Sequence, residues 1–333
     1  MKDEIGPEQG AFAVLAERHR RELRVHCYRM LGSYVDAEDL VQETFLRAWR
    51  KREQVQGPGT FRAWLYRIAT NACIDALEKL PSDRQFIAPD GSGMGRPAAA
   101  IPWLQPMPDS LLDEPAPGEF EPESALVSRE NIELAFLAAI QHLPPRQRAT
   151  LILRDVIGWS ASECAELLDV SVAAVNSALQ RARETLKECR AEPNERIPVM
   201  PTDQERAALK RYMDAIEQAS DEAIARVLRH DVRLCQQPGA GGNDSGKAVF
   251  IHGRDEIIRA WAPILHGAHG ASLRFLPTAA NRQPAAATYL RWPGTEAYLP
   301  FALAVLTVKG DEVSDIAIFG ADTFPAFGLP ASL

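Results

Sequence analysis

Apolar side chains recur at helical spacing through most of the first 190 residues and at alternate positions towards the C-terminus, a pattern that predicts helices followed by a sheet. In AEDLVQETFLRAWRKR, Ala37, Leu40, Val41, Thr44, Phe45 and Ala48 fall on one stripe, and Asp36 with Asp39 suits the N-terminal end of that helix. The other face carries Asp39, Gln42, Glu43, Arg47 and Arg50, a solvated face unless a partner covers it. After EQVQGPGT, a second helix is predicted over Phe61–Lys79, with Leu65, Ile68, Ala72 and Leu77 inward. A third stretch starts with proline at a first helical position, Pro145, and breaks at Gly158. It resumes as a short helix with the capping pair Ser160 and Glu163, turns, and begins a further helix at Ser171.

A short capped helix, a turn and a second helix are the layout of a helix-turn-helix. In the second helix Val172, Val175, Leu179, Ala182 and Leu186 are expected to pack inward. Ala173, Ala174, Asn176, Ser177, Gln180, Arg181 and Arg183 are left outward, with small residues at the start that permit close approach to a major groove.

Beyond the break AEPNERIPVMP, residues 202–333 read as two helices, a strand DVRLCQQP, a Gly-rich loop, a strand-like VFIH and the helix RDEIIRAWAPILH. Four alternating stretches follow, ASLRFLPT, AATYLRW, LPFALAVLTV and EVSDIAIFG, the last two joined by KGDE. Helices over one curved antiparallel sheet are expected, an α+β cone.

Residues 81–123 fit neither pattern. APDGSGMGRPAAAIP reads as a linker that does not fold alone, yet PWLQPMPDSLLDE holds Trp103, Leu104, Met107, Leu111 and Leu112 among prolines that exclude a regular helix. Charge sharpens the division: residues 1–80 carry a net +1, 81–123 a net −6, 124–190 zero and 191–333 a net −3, within a total of −8. The five cysteines show no C-x-x-C pair, so buried free thiols are expected and no metal site or cofactor is called. The N-terminus MKDEIGPEQG has neither a basic nor an apolar leader region, and a cytoplasmic protein with no membrane contact is the expectation.

Phe61, Arg62, Trp64, Tyr66 and Arg67 interleave rings with guanidiniums, as single-stranded nucleic acid requires, although Trp64 serves a core equally well. In the C-terminal part Asp231, His252, Asp255, His266, His269 and Tyr298 are available, but no two sit at a spacing that demands joint chemistry. No catalytic residue is assigned there.

DAEDLVQETFLRAW followed by FRAWLYRIATNACIDAL, and then LPPRQRATLILRDVIGWSASECAELLDVSVAAVNSALQRARETL, resemble the sigma-70 factors of bacterial RNA polymerase in their extracytoplasmic-function subgroup. The resemblance implies a multidomain chain: residues 10–80 as the region 2 helical bundle, 81–123 as an acidic linker, 124–190 as the region 4 helix-turn-helix, and 202–333, with GRDEI after VFIH, similar to the SnoaL-like domains fused to some sigma factors. It further implies that Asp39, Gln42, Glu43 and Arg47 meet the β′ clamp helices of core polymerase. Thr60, Phe61, Arg62, Trp64, Arg67 and Asn71 would surround the melted −10 strand, with Asn71 the asparagine beside an extruded base. Asn176, Ser177, Gln180 and Arg181 match the positions that read the −35 element, and Arg154 matches a backbone contact. Asn176 and Ala178 stand where many members carry basic residues, which weakens the phosphate contribution.

In sigma factors the linker threads through polymerase near the active site and RNA exit path. Trp103, Leu104, Leu111 and Leu112 are therefore expected to dock into polymerase, or into the C-terminal domain when polymerase is absent. Core polymerase, including its β subunit, and promoter DNA are the implied partners, with a small-molecule ligand as a further possibility for the C-terminal domain. Two other readings stay open on residues alone: a stand-alone helix-turn-helix regulator, and a DNA-binding protein fused to a small-molecule cyclase or hydrolase.

Overall fold

A computed structural model of the chain describes residues 7–54, 58–81, 98–113, 132–189, 201–266 and 271–333. These divide into two compact units. The first holds the described residues within Met1–Gly95, Leu111–Val127 and Phe136–Asn194, and the second those within Arg96–Ser110, Ser128–Ala135 and Glu195–Leu333.

In chain order the first helices are α1 (Pro7–Glu17), α2 (Arg20–Leu31), α3 (Tyr34–Arg50) and α4 (Pro58–Glu78). Then α5 (Asp109–Asp113) and α6 (Leu134–Ile140) lie where the chain passes between units, and α7 (Pro145–Leu151), α8 (Ala161–Leu168) and α9 (Val172–Cys189) follow. The start of α3 differs from expectation. Ser33, not Asp36, caps it, accepting a hydrogen bond from the Asp36 amide at 3.1 Å, because its extended backbone lets Oγ reach the third residue while Asp36 is already helical. Leu23, Val41, Leu65 and Ile74 are buried between α2, α3 and α4, and His26 closes the α2–α4 seam with its Nε2 2.9 Å from Thr70 Oγ1.

In unit 2, α10 (Asp203–Glu217), α11 (Asp221–Val227) and α12 (Arg254–Leu265) accompany β1 (Leu228–Gln236), β2 (Val249–His252), β3 (Ser272–Ala280), β4 (Gln283–Arg291), β5 (Leu299–Lys309) and β6 (Glu312–Gly320). The strand order is β2-β1-β6-β5-β4-β3. The sheet is not wholly antiparallel as expected: β1 runs parallel to β6, Leu234 beside Ile316. Only tight hairpins force antiparallel pairing, and the long excursion between β1 and β6 leaves their direction free. One face of the sheet presents Leu234, Ala304, Leu306 and Ile316 to Leu209, Tyr212 and Ile216 of α10.

The opposite face, with Ala285, Ala287, Leu303, Val305 and Phe319, is also buried. A 3-10 turn at Ala98–Ala100 lies on β1 and β6, and Ile101, Leu104 and Met107 continue it without solvent exposure. At the other end Phe324, in the C-terminal 3-10 segment Ala321–Phe327, meets Tyr289 edge-on with ring centroids 5.2 Å apart. The linker strand is thus a layer of unit 2. Leu104→Ala should cost about 2–5 kcal/mol and speed hydrogen exchange in β1 and β6 of the full chain; unchanged protection there would show that Leu104 does not support the sheet.

Candidate nucleic-acid and polymerase surfaces

On α3 the predicted partner face is split by its own chemistry. Glu43 and Arg47 pair at 2.8 Å and Arg47 reaches Asp75 at 3.7 Å, whereas Asp39 and Gln42 stand exposed. Val35 and Leu46, 47% and 53% exposed, lie on the same stripe as Asp39 and Gln42 by helical spacing. Leu46 was missed at the sequence level; the signal was an apolar residue out of phase with the inward stripe.

The α4 candidates also divide. Phe61 is core, 5.7 Å from the Phe12 ring and 5.9 Å from that of Trp64, which is half-buried. Arg67 and Asn71 are exposed and share a stripe with Trp64; the side chain of Thr60 lies outside the described residues. Arg62 is turned the other way. It pairs with Glu22 at 2.7 Å and lies 4.9 Å over the Tyr66 ring, whose hydroxyl donates to the same carboxylate at 3.1 Å. Burial raises the Glu22 pKa, but hydrogen bonds from His19 and Arg62 outweigh it and leave the group below its ordinary value.

Within unit 1 the helix-turn-helix packs on this same edge. Trp159 lies 5.3 Å from Tyr66, Arg146 pairs with Glu78 at 3.3 Å, and the buried Arg148 donates to Met30 O and, at 2.8 Å, to Gln141 Oε1. Gly158, at φ +84°, permits the sharp turn that delivers Trp159. The capping box forms as predicted, Glu163 N to Ser160 Oγ at 3.2 Å and Ser160 N to Glu163 Oε2 at 2.7 Å.

Along α9, Asn176, Ser177 and Gln180 face outward together, with Gln180 Nε2 donating to Glu184 at 3.1 Å. Arg181 sits at the edge of that face, on the rim of a groove of about 260 Å³ lined also by Pro144, Leu168, Val170 and Val175. Arg154 is half-buried and donates to the Trp159 carbonyl, so its guanidinium is engaged within the turn. Arg183 forks onto Asp155 at 2.9 and 2.7 Å. Val172 was expected inside and is 44% exposed, because it is the first residue of the helix and precedes the turn that meets the core.

The four linker anchors part company. Leu104 is buried and Trp103 half-buried in unit 2; Leu112 is buried and Leu111 half-buried in unit 1, where Arg21 Nε donates to Leu112 O at 2.6 Å. Sequence reasoning missed what grips the strand. Asn281 and Arg282, at φ 56° and 61°, form the two-residue turn between β3 and β4. Asn281 exchanges hydrogen bonds with Met107, its N to Met107 O at 2.9 Å and Met107 N to its Oδ1 at 2.8 Å, and its Nδ2 donates to Ile132 O at 2.8 Å. Arg282 N donates to Asp109 at 2.8 Å, Leu134 N donates to Gln283 Oε1 at 3.0 Å, and Gln237 Nε2 donates to Ile101 O and Leu104 O, each at 3.2 Å.

Among the titratable groups of unit 2, Asp231 is held at about 2 by its hydrogen bond with Arg229. His266 lies 2.8 Å from Asp221 and Asp255 3.6 Å from Arg254; His252 is exposed and His269 lies outside the described residues.

The Sigma-70 region 2 family profile matches residues 15–81, and that of Sigma-70 region 4 matches residues 133–186. The chain is 40% identical over 338 residues to the ECF RNA polymerase sigma factor SigG of Mycobacterium tuberculosis (strain ATCC 25618 / H37Rv), an alignment covering 98% of this chain and 85% of that protein. The chain belongs to the ECF RNA polymerase sigma factors. It is 32% identical over 180 residues to SigW of Bacillus subtilis (strain 168), covering 54% of this chain and 89% of that protein. The crystal structure of Mycobacterium tuberculosis extracytoplasmic function sigma factor SigJ shares the fold at a TM-score of 0.59 and 21% identity, covering 97% of this chain and 99% of that one. As an ECF sigma factor the chain directs transcription initiation, with core RNA polymerase and promoter DNA as partners. Among the described residues no helix is long and apolar enough to cross a membrane.

Because the folded Glu22 carboxyl titrates below its unfolded value, its contribution to the α2–α4 seam is complete above about pH 4.3 and is lost as pH falls through the folded value. Glu22→Gln should flatten the acid limb of the stability curve; an unchanged limb would assign acid unfolding to other carboxylates.

Proposed function

We propose that this sigma factor is regulated by its own unit 2, which grips the linker and so sets whether the chain can take up the arrangement that initiation needs. The observation that carries this reading is Asn281: one buried amide holds Met107 and Ile132, two backbone points on either side of residues 108–131. A buried amide that loses such partners costs about 1–3 kcal/mol, so the grip is firm but reversible. The effect is read as binding and not catalysis, since Asp231 pairs with Arg229 and Asp255 with Arg254, and the two histidine–carboxylate contacts described in unit 2, His266 with Asp221 and His230 with Asp231, lie on exposed side chains. A small molecule is not needed either, because apolar side chains fill the space between α10 and the sheet.

In this proposal Val35, Asp39, Gln42 and Leu46 meet the β′ clamp helices, and Trp64, Arg67 and Asn71 receive the melted −10 strand. Asn176, Ser177 and Gln180 read the −35 element, with Arg181 at its margin. The two elements lie about 25 base pairs apart, roughly 85 Å along a duplex, whereas a compact unit of this size has a radius of gyration of only about 15 Å. The Trp159–Tyr66, Arg146–Glu78 and Arg148–Met30 contacts must therefore part when both elements are bound.

In transcription by core polymerase with the full chain on genomic fragments, Asn281→Ala is expected to raise promoter-directed synthesis several-fold. Equal synthesis by the intact and substituted proteins would remove the grip from regulation. In a promoter library, Gln180→Ala should change preference at particular −35 bases by about 1–3 kcal/mol each; a uniform loss over all sequences would mean a phosphate contact instead.

A further inference from the structure

The outer face of the sheet is covered by the linker strand and the C-terminal segment except towards one end of β3, β4 and β5. There Ser272 lies opposite Arg291 and Arg274 opposite Tyr289, so Ser272, Arg274 and Arg291 share that face. Tyr298, at the entry to β5, is fixed by reciprocal backbone hydrogen bonds with Leu333 at 3.0 Å. Its ring lies against both guanidiniums, 4.9 Å from Arg274 Cζ and 4.7 Å from Arg291 Cζ. Arg291 Nε donates to Ser272 Oγ at 3.3 Å, and the Tyr298 hydroxyl donates to the same oxygen at 3.4 Å.

Several other arginines of unit 2 are neutralised, Arg206 by Asp203, Arg226 by Glu222, Arg233 by Asp315 and Arg259 by Glu256, while Arg211 donates to the Asp311 carbonyl. Among the described residues no carboxylate lies within ion-pair distance of Arg274 or Arg291, and these two converge on one ring. The Tyr298 phenol registers the imbalance. Its hydrogen bond with Ser272, and then the charges of Arg291 and Arg274, hold its pKa below the ordinary value against the effect of burial. Two like charges share one site here, and each makes the other more costly until an anion arrives.

We propose that Arg274, Tyr298 and Arg291 form a further promoter-DNA contact, a seat for one or two backbone phosphates. Planar guanidiniums match phosphate oxygens in pairs, and rings that already fix them reduce the side-chain freedom lost on binding. Tyr298 is covered by the two cations and acts as their spacer. The occupant is taken to be DNA and not an acidic protein surface because this chain works on promoter DNA, where phosphates recur along every strand. Residues 191–333 carry a net −3, so the rest of this part of the chain offers DNA little attraction and the triad acts locally.

The test is holoenzyme made from core polymerase and the full chain, bound at equilibrium to a duplex fragment that it transcribes, over a range of potassium chloride concentrations. Each phosphate neutralised contributes about 0.9 to the slope of log affinity against log salt. The double variant Arg274→Ser/Arg291→Ser is expected to bind DNA with a slope shallower by about 1–2 while binding core polymerase unchanged, and Arg274→Lys/Arg291→Lys is expected to retain most of the slope. Both side chains are at the surface of the sheet, and thermal unfolding of the variants checks that the fold is intact. An unchanged slope overturns the proposal. So does weaker binding of the serine variant to core polymerase without DNA, which would place the anion on the polymerase.

Discussion

A six-stranded sheet has two faces, and among the described residues the helices α10, α11 and α12 cover only one of them. The other presents Ala285, Ala287, Leu303, Val305 and Phe319, an apolar surface too large to leave in water. The linker has the converse problem: Leu104 and Met107 need burial, while the prolines around them forbid an element that could bury them locally. Each supplies what the other lacks. Because proline removes backbone donors, the strand cannot join the sheet by a regular ladder; a single bridge at Pro108–Ala280 forms, and the side-chain amides of Gln237 and Asn281 satisfy part of the rest. The linker's conformation and the packing of unit 2 are therefore one equilibrium, and whatever displaces the strand must also expose the sheet.

Unit 1 is held by a different kind of contact. Arg148 is fully buried, accepted by the Met30 carbonyl and by Gln141, and burial pushes its pKa down to about 9. A buried cation is stabilising only while its acceptors stay in place, so an interface built on one is specific in geometry without being deep in energy.

Helix α4 shows how electrostatics sorts similar residues into different surroundings. Arg62 and Arg67 both lie on α4 next to an aromatic residue, yet Glu22 neutralises Arg62, and Arg67 is left on the exposed stripe with Asn71. On α9 the same sorting assigns Arg183 to Asp155 and leaves Asn176, Ser177 and Gln180, uncharged donors and acceptors, on the outward face, in keeping with the zero net charge of residues 124–190.

The sequence by itself determined what depends on near neighbours. Helical periodicity located α3, α4 and α9; the Ser160–Glu163 capping box, proline at Pro145 and the turn at Gly158 located the helix-turn-helix, because each of these signals acts within a few residues. Asn176, Ser177 and Gln180 were legible as outward for the same reason. Tertiary structure decided everything set by pairing across long separations. Nothing local in the β1 pattern shows that it runs parallel to β6, and nothing near Trp103 shows that Asn281, 174 residues beyond Met107, completes its backbone hydrogen bonds. Alternation tells which side of a strand is apolar, but not what covers it: the outer face of this sheet and the linker strand carry compatible apolar patterns, and only packing reveals that they belong together.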